Sequence, residues 1–179
     1  MDIQEILKTA HQHLDQYQES LEHYSEAQFN FKADADTWSL AELYEHISQS
    51  NAFFARLVQH CLNQEKGQLG GAKNEVGEKI FAHGAFPPIR IKMPKEFKVT
   101  VLEPKAQEAY PPILEQERER LQALVEALPN DPGEYFIPHP RLGALNARDW
   151  FHMCEMHLAH HLRQKIELEE KAGFTPEAK

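Results

Sequence analysis

The amino-acid sequence predicts an all-α protein, a four-helix bundle with a long crossover between helices two and three. Three observations predict it. Apolar residues recur at steps of three and four in four separate stretches, the period of an amphipathic helix. Capping residues, prolines and glycines stand at the ends of those stretches. No segment alternates polar and apolar residues well enough to read as a strand, and the one β-like fragment, Phe97 to Glu103, is short and isolated. The 179 residues are ample for one hydrophobic core, and residues 1–179 are expected to form a single domain.

The first helix is expected from Asp2 to about Gln28, because Ile3, Ile6, Leu7, Ala10, Leu14, Tyr17, Leu21 and Tyr24 fall on one side of it. A polar break, "KADADTW", separates it from the second, where Ser39 and Glu42 have the spacing of a capping box. Helix two runs from about Leu40 to Gln64. Its inward stripe is Leu43, His46 or Ile47, Ser50, Phe53 or Phe54, Leu57 and Cys61, so a histidine stands where the pattern would accept a leucine.

Residues 65–105 hold "GQLGG" and "HGAFPPIRIKMPKEF", show little periodicity and read as the crossover, with room for a short turn of helix. Helix three starts at Tyr110, since Pro111 and Pro112 fit a first turn and nowhere later. Leu114, Leu121, Leu124, Val125 and Leu128 form its apolar side, and it ends before Pro129. After an irregular segment rich in proline and glycine, Asn146 with Asp149 caps helix four, which runs from about Ala147 to Lys171 and stops at Gly173.

Composition excludes several functions. A net charge of -9 with dispersed lysines and arginines repels nucleic-acid phosphates and anionic lipid alike. Mean hydropathy is -0.61, and no apolar run is long enough for a membrane span. The N-terminus lacks a basic region followed by an apolar one, so no export signal is expected. Cys61 and Cys154 are too few and too far apart for a disulfide framework or a thiolate metal motif, which fits a reducing, cytoplasmic location.

The chemistry concentrates in "HMCEMHLAHH", His152 to His161. Trp150, Cys154, His157, His161, Gln164 and Leu168 follow one another at steps of four and three and so share a seam facing the core. His157 and His161 stand one turn apart and only about 40° apart around the axis, close enough for both rings to reach one ion. His46 adds a third nitrogen from a facing helix, and three histidines with an open fourth position are a common catalytic-zinc arrangement. Three imidazoles in an apolar seam without a shared partner would be costly. His160 and His152 fall off the seam and are expected at the bundle edge or in water, and Cys154 reads as a small core residue.

No histidine has a glutamate three residues before it, which excludes a ferritin-like di-iron centre. HExxH, a phosphate-binding GxxxxGK[ST] loop and a GxSxG elbow are also missing. "DTWSLAELYEHISQSN" and, far downstream, "HPRLGALNARDWFHMCEMHLAHHLRQ" resemble the DinB superfamily of metal-binding helical bundles over nearly the whole chain. That resemblance implies an up-down-down-up bundle, a metal ion, often zinc or nickel, held by three histidines that fall on His46, His157 and His161, and a homodimer. It also implies metal-dependent hydrolase or thiol-dependent S-transferase activity.

The expected function is therefore a metalloenzyme acting on a small molecule, in which the ion activates water or a low-molecular-weight thiol. The segments around Phe86 and Phe136 are expected to wall the pocket, and the catalytic residues are not legible. The alternative is a metal-stabilised binding or stress-response protein without turnover.

Overall fold

The computed structural model describes residues 2–88 and 102–174. In chain order the described elements are α1 (Ile3–Leu21), α2 (Glu26–Phe29), α3 (Leu40–Leu62), β1 (Gln68–Leu69), α4 (Glu75–His83), α5 (Tyr110–Ala127), β2 (Tyr135–His139), β3 (Gly143–Leu145) and α6 (Ala147–Lys171). The protein is thus mostly helical with a small sheet. Both α3 and α1 pack against α5 and against α6.

The expected apolar stripes form the core. Ile6, Leu7, Ala10, Leu14, Tyr17 and Leu21 of α1 are buried, as are Leu114, Leu121, Leu124 and Val125 of α5. Buried tyrosines then stitch helices together through backbone carbonyls: Tyr44 donates to Tyr17 O at 2.8 Å, and Tyr17 donates to Leu158 O at 3.0 Å. Each bond satisfies a hydroxyl that would otherwise be costly to bury. Among the described residues no helix is long and apolar enough to cross a membrane.

The first helix is shorter than its periodicity predicts. It stops at Leu21, and Ser25 opens α2 with a reciprocal capping box to Gln28. That box ends the longer helix, because satisfying the orphan N–H groups of a new N-terminus locally outweighs continuing the old one. Tyr24 still packs inward, edge-on to Phe174 at 4.9 Å. The predicted capping boxes at Ser39/Glu42 and Asn146/Asp149 are both present, and they start α3 and α6.

The sheet corrects the all-α expectation. β1, β2 and β3 pair antiparallel in that order, with Ile137 opposite Leu145 and His139 opposite Gly143. Strands of two to five residues in which only Ile137 and Leu145 are buried present no alternation to read. Gly143 sits at φ 85°, where a Cβ would collide with the backbone of Ala72 and Lys73, so the crossover can lie directly on the β2–β3 turn. Lys73 then pairs with both oxygens of Asp149, at 3.0 and 2.9 Å, fastening the crossover to the first turn of α6.

The crossover holds a full helix, α4, capped by Asn74 and ended by Gly84 in the left-handed conformation. Residues 97–101 of the β-like fragment lie outside the described residues. On its return the crossover docks on α3: Lys105 Nζ lies 2.8 and 2.7 Å from the buried Glu45 carboxylate, and Tyr110 donates to the same group at 3.1 Å.

Candidate metal centre

His46 stands in the second turn of α3, and His157 and His161 stand one turn apart in α6, the helix against which α3 packs most extensively. All three rings point to one place. Nε2 of His161 is 3.1 Å from Nε2 of His46 and 3.1 Å from Nε2 of His157. One ligand atom from each residue lies within 4.8 Å of the others, and among the described residues this group has no fourth member. A tetrahedral ion with metal–nitrogen bonds of ~2.05 Å needs ligand nitrogens ~3.3 Å apart. The two separations are close to that value.

Hydrogen bonding shows which nitrogen of His161 is available. Nδ1 of His161 is 2.8 Å from Oε1 of Gln164, an atom that can only accept, so the ring proton is on Nδ1 and Nε2 carries the lone pair. Nδ1 of His46 is 3.5 Å from Ser50 Oγ, while Nδ1 of His157 has no hydrogen-bond partner among the described residues. One lone pair facing two other ring nitrogens is poorly served by protons alone, and a shared electrophile serves all three.

The electrostatics agree. Burial, reinforced by a neighbouring His160, pushes His46 down to about 4. Burial and then the charge of His46 push His161 down to about 3. His157 is lowered well below the ordinary histidine value by burial and by His161. All three are neutral at pH 7, the form a metal requires. The donor set therefore fits a metal ion.

Aromatic rings wall the cluster. Trp38 lies 4.9 Å from the His46 ring and stacks on His161 at 6.3 Å; Phe54 meets His157 edge-on at 5.2 Å. Phe86 packs on His160 at 5.8 Å, and Arg163 holds its carbonyl at 3.0 Å. Phe136 instead sits in β2 opposite Gln68, over Gly71.

The other candidates separate. His160 is half-buried with its ring 5.0 Å from that of His161, so it borders the cluster rather than facing water. His152 is off the seam as expected but is buried, not solvated: it touches Phe81 at 5.7 Å and faces Glu155 at 3.5 Å. Its burial follows from α1 and α4 both covering this end of α6, which a single helical stripe does not reveal. Glu155 in turn meets His13 of α1 at 3.1 Å. Cys154 is a core residue whose thiol reaches Trp150 O. Sequence reasoning missed Trp38 and Phe54 as walls and Gln164 as a partner of His161, although Gln164 lay on the predicted seam.

Comparison with curated proteins and with solved structures gives no match. The profile of the DinB superfamily matches residues 9–164, a span that contains all three histidines, Trp38 and Gln164. The chain belongs to the DinB superfamily.

Proposed function

We propose that His46, His157 and His161 hold one divalent metal ion, zinc or nickel, and that the protein is a metal-dependent enzyme acting on a small molecule, a hydrolase or a thiol-dependent S-transferase. The observation that carries this reading is the convergence of three neutral imidazole nitrogens, with Nε2 of His161 3.1 Å from Nε2 of His46 and of His157, and no fourth protein donor among the described residues. When bound, such an ion supplies Lewis acidity that brings the pKa of a water or a low-molecular-weight thiol toward neutrality.

The chain's own residues do the rest. Gln164 fixes the tautomer and orientation of His161 through Nδ1. Trp38 and Phe54 shield two sides of the cluster from water, and Phe86 with His160 borders a third. The packing of α1 and α3 against both α5 and α6 supports the up-down-down-up four-helix bundle within a single domain. A cytoplasmic homodimer with no nucleic-acid or membrane partner completes the reading.

One observation favours the second reading, a metal-stabilised binding or stress-response protein without turnover. His46 belongs to α3 and the other two histidines to α6, so an ion there would tie the two helices together. Cobalt substitution distinguishes the readings. An open coordination position gives a visible spectrum that changes on adding azide or a thiol, accompanied by turnover of electrophilic substrates. A spectrum indifferent to both, with no turnover, leaves the structural role.

A further inference from the structure

A cavity of about 60 Å³ lies among α1, α3, α5 and α6, walled on its apolar side by Leu14, Ile47 and Leu158. Its polar side is unusual. Asn51 of α3 is fully buried, and neither its Nδ2 nor its Oδ1 has a hydrogen-bond partner among the described residues. Glu117 of α5 lines the same cavity at 4% exposure, with Oε2 paired to Arg120 and Oε1 without a partner among the described residues. Asn51 and Glu117, which both line this small, part-open cavity, thus leave two amide N–H bonds and two oxygens without partners among the described residues. Burying a primary amide with no partner at all costs several hydrogen bonds, which a marginally stable fold does not sustain.

We propose that this cavity is a buried hydration site, in which water bridges the Asn51 amide to the Glu117 carboxyl group. The space exceeds the ~10–15 Å³ that one water needs, and a buried water forms about three hydrogen bonds, which matches the orphan atoms present. An apolar occupant would leave the Asn51 amide unpaired, and the separation of α3 from α5 at this level is then maintained by water rather than by side-chain contact. The site is independent of the histidine cluster: it uses no residue of it.

Water-selective NOESY and ROESY on the full-length 15N-labelled chain test the proposal, with the Asn51 side-chain amide assigned by its loss in Asn51→Leu. The expected result is cross-peaks from water to both amide protons, of the sign that marks long-lived rather than surface water. Resolved amide resonances without such peaks overturn it. Xenon gives an independent readout: a hydrated cavity leaves the Ile47 and Leu158 methyl shifts unchanged under xenon pressure, whereas saturable shifts there mean a dry cavity and sink the idea. Asn51→Leu should lower Tm by a few degrees, and a higher Tm contradicts the bridge. The xenon measurement on the unmodified chain stands even if that variant fails to fold.

Discussion

Replacing Gln164 by methionine keeps the length and helix propensity of the side chain but removes the acceptor for His161 Nδ1. Gln164 is half-buried and makes that bond at 2.8 Å. The fold should therefore tolerate the change. What is lost is control of the ring: its proton is no longer held on Nδ1, and Nε2 is no longer kept free toward His46 and His157. Losing such a partner costs about 10- to 100-fold in metal affinity, or about 1.4 to 2.8 kcal/mol. Competitive chelation with zinc measures it, with Ile166→Ala, at 54% exposure on the outer face of the same helix, as the control. Gln164→Glu keeps an acceptor in place and should retain affinity. Wild-type affinity in Gln164→Met, or an equal loss in Ile166→Ala, would refute the reasoning.

Three further outcomes follow from the same geometry. His46→Ala and His157→Ala should each weaken metal binding far more than His152→Ala, because His152 faces Glu155 and Phe81; equal losses by chelation at all three positions would displace the site. In the metal-free chain, His46 is held down at about 4 against an ordinary 6.5, so the unfolded state takes up its proton first and stability, full above 6.5, falls as pH drops through that window. Tm measured from pH 7 to 4 should fall less steeply in His46→Leu, and equal slopes would mean that His46 titrates normally. Chelation at pH 7 should lower Tm, since an ion bound only by the folded chain stabilises it; an unchanged Tm would remove the link between α3 and α6.

The parts legible in the sequence are those set by local rules. The bounds of α6 follow from the Asn146 box and from Gly173, which takes φ 69°. Pro111 and Pro112 start α5 for the same kind of reason. The break after Leu21 was also local, since Ser25 and Gln28 have capping-box spacing, but the unbroken apolar stripe through Tyr24 masked it. The sheet was hidden because its strands are too short to alternate and are held by the Lys73–Gly143 bridge and by Asn74 N donating to Leu142 O, contacts made across the fold. At the site, spacing places His157 and His161 together, whereas the meeting of His13 with Glu155 depends on how α1 crosses α6. Asn51 shows the limit most sharply: it is buried in α3, about one and a half turns beyond His46, and its role depends on a cavity that only packing creates.

Metal analysis of the chain purified without added ions and without an affinity tag tests the central claim most directly. The account predicts one equivalent of a divalent transition metal per chain, lost when His46, His157 and His161 are replaced together by alanine. A wild-type chain with no bound metal, or a triple variant that keeps it, would contradict the account.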